Sequence, residues 1–196
     1  MSQQTQDVSV HDRIMRSALD LFYRQGYRST GINQLISESG VAKASFFSHF
    51  PSKEDLLRAY AAEQLLQDQR LRFAVETRLD PEERFFAPLR ILIPWLTSTH
   101  FRGCPFQILA AEAGQIKGIR ELIARHRDQL RTLFDDITDN LSQQDVSYAH
   151  LNAEKVSETY LLLFEGAITN AVGYQSVQPV NHAISAMRHH IQSRAG

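Results

Sequence analysis

The chain has 196 residues with 43% hydrophobic and 22% charged side chains, and 21 Lys+Arg against 22 Asp+Glu leave a formal net charge of -1. These proportions fit one large or two small folded domains, and they exclude a disordered polymer, a collagen-like repeat and a globally basic nucleic-acid binder. The one cysteine, Cys104, excludes an intrachain disulfide and a Cys-rich zinc site. The polar opening residues 1–10 carry no basic cluster with an apolar run behind it, so no signal peptide is expected. The longest apolar stretch, Ile91-Leu92-Ile93-Pro94-Trp95-Leu96, is far shorter than the ~20 residues that span a bilayer. A cytoplasmic chain with no membrane partner follows as the expectation.

Helical periodicity runs along almost the whole chain, and no alternating strand pattern interrupts it. A first helix is predicted over about 11–25, with Ile14, Ala18, Leu21 and Phe22 on one face, Ser9 and Asp12 at its start and Gly26 at its stop. Two short helices follow. Thr30 is the expected cap of the first, which carries Ile32, Leu35 and Ile36 and stops near Gly40; the second covers about 42–49. Ser52, with Asp55 three residues on, opens a long helix that reaches about residue 78.

Asp80-Pro81 is the clearest break and begins a second helical region. Pro88 and Pro94 each remove a backbone donor, so the segment 82–100 is expected to kink or split. Pro105 suits the first turn of a short helix ending near Gly114. Ile119, Ile123, His126, Leu130, Leu133, Ile137 and Leu141 form the stripe of a long helix over about 116–141. Two more helices are predicted over about 152–175 and 180–194. The fold class is all-α, with roughly nine helices.

Residues 31–50, GINQLISESGVAKASFFSHF, carry the functional signal. Two short amphipathic helices meet at Ser39-Gly40-Val41, where glycine allows a sharp turn without a Cβ penalty. If Ile32, Leu35, Ile36, Val41, Phe46 and Phe50 face inward, then Lys43, Ala44, Ser45, Phe47 and His49 project outward. That is the layout of a helix-turn-helix, whose second helix places its N-terminal residues in the major groove. Lys43 can reach a phosphate or a guanine edge, Ser45 can donate or accept, and Ala44 permits close approach or contact with a thymine methyl. Thr30, Lys53 and the amide ends of the neighbouring helices suit phosphate clamping. No acidic residue lies between Lys43 and Lys53.

Residues 11–60 resemble the TetR/AcrR family of bacterial transcriptional regulators without a gap. The match runs through Ile14, Ala18, Leu21-Phe22, Gly26-Tyr27, Thr30, Gly40-Val41, Phe46-Phe47-Ser48-His49-Phe50 and Ser52-Lys53-Glu54-Asp55-Leu56. The stretch Arg102-Gly103-Cys104-Pro105-Phe106 with Ala110-Ala111-Glu112 is similar to one found in a subset of members. The resemblance implies a helix-turn-helix DNA-binding domain over 9–55 and a helical ligand-binding and dimerisation domain over 56–196. It implies double-stranded operator DNA as a partner, with Gln34 joining Thr30, Lys43, Ala44, Ser45, Phe47, His49 and Lys53 as contact candidates. It further implies a small-molecule effector that releases the DNA, and a homodimer through the last two helices. Phe47 stands where the family usually carries Tyr, so a hydroxyl contact to phosphate is lost. Ala44 replaces a frequent Gly, Ala42 a frequent Ser or Thr cap, and Ile36 a small Ala that would let the two helices pack closer.

Phe164, Ala167, Ile168 and Ala171 form a face suited to close helix packing, either at the dimer interface or inside the chain's own core. Candidate effector contacts are Trp95, His100, Cys104, Phe106 and Gln107 around the two proline breaks, with His126, Tyr160 and Phe164 on the later helices. The alternative for each is a packed core position. Cys104 has His100 four residues before it and Arg102 nearby, groups that lower a thiol pKa. This leaves two readings, a sensor of electrophiles or oxidants and an inert buried thiol. No third orienting group is apparent beside the Cys-His pair, so catalysis is not expected. His182, His189 and His190 lack metal-ligand spacing, and no metal or cofactor is expected. The rival class is an all-α small-molecule-binding protein whose helix-turn-helix is vestigial.

Overall fold

Ser9 accepts the backbone N–H of Asp12 on its hydroxyl at 3.1 Å and so caps α1, Val10–Gln25, satisfying a donor the first turn cannot. The structure is a computed structural model and describes residues 9–193. The opening residues 1–8, where no leader was expected, lie outside it, as do residues 194–196. Among the described residues there are nine α-helices, one 3₁₀ turn and no strand.

After α1, α2 covers Ile32–Ser39 and ends at Gly40 in the left-handed conformation, φ 62° and ψ 30°. Then come α3, Lys43–His49, and α4, Lys53–Glu76. Ser52 caps α4 as expected: the Asp55 N–H donates to Ser52 Oγ at 3.1 Å, and the Ser52 hydroxyl in turn donates to Asp55 Oδ2 at 2.7 Å. The second region consists of α5, Pro81–Ser98, α6, Pro105–Ala113, and α7, Ile119–Gln144. A 3₁₀ turn over Val146–Tyr148 leads to α8, Ala153–Tyr174, and α9, Gln178–Gln192.

Two local expectations are corrected. Thr30 does not cap α2; Gly31 holds that position without a side-chain bond, and the Thr30 hydroxyl turns back to donate to the Gly26 carbonyl at 2.6 Å. The prolines do not split the segment after Pro81, because α5 runs continuously through Pro88 and Pro94. Its face of Phe85, Phe86, Ala87, Pro88, Leu89, Leu92 and Leu96 is buried, so tertiary packing outweighs the two missing donors. The Tyr160 hydroxyl adds support beside Pro88, donating to the Phe85 carbonyl at 2.7 Å and accepting the Leu89 N–H.

The chain divides into two compact units, with the changeovers inside α4, α6 and α7. The smaller takes in residues up to Gln64 together with Ile108–Ile123. Its core is Ile14, Ala18, Leu21, Phe22, Leu35, Phe46, Phe50, Leu56, Leu57 and Tyr60. Phe22 sits edge-on to Tyr60 at 5.5 Å, the arrangement ring quadrupoles favour. The larger unit holds Leu65–Gln107 and the chain from Ala124 onward, with α5, α8 and α9 packed together. Tyr160 lies fully buried at its centre, stacked on Phe134 at 4.3 Å and edge-on to Phe85 at 5.3 Å.

Candidate nucleic-acid interface and effector region

The turn between α2 and α3 is locked by α1. Arg13 Nε donates to the Ser39 carbonyl at 3.0 Å and Arg13 Nη2 to the Gly40 carbonyl, which satisfies acceptors left open where α2 stops. A Cβ on Gly40 would stand 2.7 Å from that guanidinium nitrogen, so a side chain here would displace the Arg13 tip as well as strain the positive φ. Arg13 was not singled out in the sequence, because its partners lie 26 and 27 residues away.

Fixed in this way, α3 buries Phe46 and presents Lys43, Ala44 and His49 as exposed residues, with Ser45 and Phe47 half-buried. Phe47 rests edge-on against Phe46 at 5.5 Å, the packing role left to it without a hydroxyl. The ring of His49 lies 6.1 Å from that of His11. Ala42 stands at the N-cap of α3 and offers no side-chain bond. The leading end of α3 is therefore an exposed, positively charged surface on a rigid support, which is what major-groove entry requires.

Three flanking candidates have structural duties. Thr30 is 1% exposed, and its hydroxyl lies between the Gly26 carbonyl and Gln25 Nε2, so its side chain does not face a phosphate. Gln34 is half-buried and takes a hydrogen bond from Gln25 Nε2 at 2.7 Å, tying α2 to α1. Lys53 donates to the carbonyls of Tyr27 at 3.0 Å and Thr30 at 2.9 Å, with its ammonium 4.2 Å from the centre of the Tyr27 ring. Burial holds Lys53 below the usual lysine range, with Glu112 acting in the opposite sense. Two of its three donors are thus committed to shaping the α1–α2 turn.

Glu112 braces the same turn. Its carboxylate accepts the Arg28 N–H at 3.1 Å, and its own carbonyl accepts Arg28 Nε at 2.9 Å. A Cβ on Gly26 would lie 2.3 Å from Glu112 Oε1. α6 thus gives Glu112 to the smaller unit while its first residues belong to the larger one. Three helices, α4, α6 and α7, each contribute residues to both units.

In the larger unit, the effector candidates separate into groups. Cys104, Phe106 and His126 come together: Cys104 Sγ is 3.7 Å from His126 Nε2, and Phe106 stacks on the imidazole at 4.1 Å and 14°. The sequence missed the fourth member, Asp68, whose Oδ2 is 2.7 Å from His126 Nδ1. The histidine beside the thiol is therefore His126; His100 is exposed, and its φ of 50° turns the chain after α5. Asp68 also supplies the orienting group that the sequence did not reveal. Burial opposes charge on His126, but hydrogen bonds to Asp68 and Cys104 prevail and push its pKa up to about 9.

Gln107 Nε2 donates to the Glu165 carbonyl at 3.3 Å, and Gln107 Oε1 accepts the Thr169 hydroxyl at 3.2 Å. Trp95 is half-buried on α5. Tyr160 and Phe164 belong to the aromatic core, where burial pushes the Tyr160 hydroxyl pKa strongly upward. Ala167, Ile168 and Ala171 are buried with them, so the face shared with Phe164 is intramolecular. Among the described residues, no group of three or more His, Cys, Asp and Glu is placed to hold a metal ion. None of their helices is long and apolar enough to cross a membrane.

An all-helical chain whose N-terminal unit braces an exposed, cationic helix-turn-helix has the fold of a DNA-binding transcriptional regulator. Residues 14–60 match the sequence profile of bacterial regulatory proteins of the tetR family. The HTH-type transcriptional regulator LmrA of Bacillus subtilis (strain 168) is 28% identical over 180 residues, covering 90% of this chain and 93% of that protein. The TetR-family transcriptional regulator SCO4454 from Streptomyces coelicolor shares the fold with a TM-score of 0.80 at 20% identity, over 94% of this chain and 96% of the other. The reduced form of Escherichia coli NemR superposes with a TM-score of 0.76 at 18% identity, over 92% of this chain and 96% of the other. Over residues 14–60 in sequence, and along most of its length in fold, the chain is similar to regulators of the tetR family.

Proposed function

We propose that the protein is a cytoplasmic, dimeric repressor that holds a palindromic operator and releases it when a small molecule enters the region 56–196. The observation that carries this reading is the exposed start of α3, with Lys43 and Ala44 leading, on a turn held by Arg13. Residues 9–55 supply the DNA-reading part. Lys43, Ala44, Ser45, Phe47 and His49 make the contacts, with Gln34, Lys53 and the turn at Thr30 as their support. Across two protomers the α3 helices would enter successive major grooves, ~34–36 Å apart.

A second copy of the chain fits the outer face of α8. Leu162 and Tyr174 are each 74% exposed there, and Gly166 and Gly173 have open space where a Cβ would stand. Leu162, Gly166, Asn170 and Gly173 follow helical spacing, so they offer one seam to a symmetric partner. The effector acts by shifting population between a conformer whose α3 helices match the operator and one in which they do not.

A second reading of the effector draws on the Cys104–His126 contact and on the fold shared with NemR, solved in a reduced form: the signal is an electrophile or oxidant received at Cys104.

Selection of genomic fragments from the source organism on the purified full-length protein, at physiological salt and then along a salt series, tests the reading. An enriched, roughly palindromic site whose retention falls steeply with salt is the expected result, because phosphate contacts release counterions. A folded dimer that enriches no fragment at any salt would establish instead a small-molecule binder with a vestigial helix-turn-helix.

A further inference from the structure

Three elements of the larger unit converge on one imidazole. Asp68 comes from α4, Cys104 from the turn before α6 and His126 from α7. Asp68 Oδ2 takes the Nδ1 side of the ring at 2.7 Å, so Nε2, 3.7 Å from Cys104 Sγ, is the nitrogen left to face the thiol. The Phe106 stack fixes the ring plane. The site is secluded: Cys104 is 9% exposed, and the side chains of His126 and Asp68 are 9% and 14% exposed. A cleft of about 230 Å³ opens at Asp68, lined also by Arg72, Leu130 and Leu133, and brings solvent to the carboxylate end. Asp68 and Cys104 are the charged or titratable groups that face His126. Arg127, next to it on α7, pairs with Glu165 at 3.3 Å.

We propose that Cys104, His126 and Asp68 form a thiol–imidazole–carboxylate relay that captures soft carbon electrophiles, such as α,β-unsaturated aldehydes and quinones, by conjugate addition to the Cys104 sulfur. Asp68 holds His126 as an imidazolium, so the S–H proton leaves to solvent and the sulfur is paired with Nε2–H. The sulfur electron pair forms an S–C bond to the β-carbon while the C=C π pair moves to the carbonyl oxygen as an enolate. Nε2–H then gives its proton to the α-carbon, and the ring regains one from solvent. One S–H and one C=C π bond are lost, one S–C and one C–H are gained, and no oxidant or reductant is consumed. The single cysteine favours this chemistry over oxidation: a sulfenic acid here has no second thiol in the chain to resolve it, whereas conjugate addition completes itself.

An adduct also has a structural consequence. Gly103, at φ 91°, lies so close to α8 that a Cβ would stand 2.9 Å from Val172 Cγ2. An adduct at Cys104 sits one residue from this close contact with α8, the helix whose outer face was assigned to the partner protomer. This consequence for DNA rests on the repressor reading; the covalent chemistry does not.

Intact-protein mass spectrometry of the native full-length chain with N-ethylmaleimide or crotonaldehyde tests the relay. One adduct is expected, absent in Cys104→Ser. Asp68→Asn should slow labelling several-fold at pH 6.5, where the carboxylate keeps the charged ring against the sulfur, yet match wild type at pH 10, where His126 has lost its charge. A native protein that takes no adduct while the urea-unfolded chain takes one overturns the proposal, as does an Asp68→Asn rate equal to wild type at pH 6.5. Equal slowing of Asp68→Asn at both pH values also overturns it, because that marks altered packing. Operator fragments retained before labelling and released after it carry the regulatory consequence, and retention after labelling removes it. A protein that retains no DNA even unlabelled counts against the repressor reading and leaves the mass result to judge the chemistry.

Discussion

Tyr160 donates its hydroxyl to the Phe85 carbonyl at 2.7 Å, one residue on from the Arg84 carbonyl that Pro88 leaves without a helical donor. The same oxygen accepts the Leu89 N–H, so a side chain of α8 steadies the backbone of α5 where its hydrogen-bond ladder is weakest. Tyr160→Phe keeps the stack on Phe134 and removes only this oxygen. The variant should lose roughly 1–3 kcal/mol, the cost of leaving a buried polar group unsatisfied. Urea unfolding measures this, and a midpoint equal to wild type would show that α5 does not need the bridge.

His126 makes stability depend on pH in a defined direction. Its pKa in the folded chain, about 9, stands above the ordinary 6.5, so protonation favours the folded state. That stabilisation is fully present below about pH 6.5 and fades as pH rises through about 9. Asp68→Asn removes the main partner of the charged ring and should flatten this dependence. Urea midpoints of both proteins at pH 6 and pH 9.5 give the comparison, and parallel declines would show that the pair is not responsible.

These two contacts mark the limit of what the sequence made legible. Helix ends governed by neighbouring residues could be read directly: Ser9, Gly40 and the Ser52–Asp55 pair stand where their chemistry predicts. Contacts across long separations could not. Asp68 is 58 residues from His126, Glu112 is 84 from Arg28, and Tyr160 is 75 from Phe85. Asp68 did leave a signal. It follows Ala61 and Leu65 and precedes Val75 at helical spacing, a carboxylate on an apolar stripe, just as His126 interrupts the stripe of α7. The continuous α5 was hidden for a related reason, since its support comes from Tyr160 and the core rather than from its own backbone.

Gly26 is the tightest point of the brace beneath α2. Its φ of 89° and ψ of 159° lie in a region that is essentially glycine's alone, and the Glu112 carboxylate occupies the space a Cβ would take. Gly26→Ala should therefore destabilise the protein by roughly 1–3 kcal/mol through backbone strain, with the clash in addition. Adding Glu112→Ala should relieve the clash and leave the strain. Thermal unfolding of both variants separates the two, and a double variant fully restored to wild-type stability would assign the whole effect to the clash.

Ala42 begins α3 with no side chain able to accept its free N–H groups. Ala42→Ser supplies that acceptor at an exposed site and should stabilise the fold by about 0.5–2 kcal/mol. Chemical denaturation reads the gain. An unchanged midpoint would mean that solvent already satisfies the first turn of α3 equally well.

Lys43 stands exposed on the first residue of α3, with no acidic residue between it and Lys53 in the sequence, so its charge faces outward without a neighbouring carboxylate on that helix. Lys43→Ala leaves the core around Phe46 and the Arg13 lock untouched, and dimer formation and unfolding midpoint should both stay as in wild type. Operator affinity should fall. If Lys43 meets a phosphate, the loss is about equal for all sequences and the salt slope drops by ~1 per Lys43 contact. If it meets a guanine edge, discrimination at one base pair relaxes by about 1–3 kcal/mol while non-specific binding changes little. Titrations of operator and scrambled DNA at several salt concentrations distinguish the two cases. Equal affinity of variant and wild type for the operator throughout that series would remove Lys43 from the contact surface and shift the reading of DNA to Ala44, Ser45 and His49.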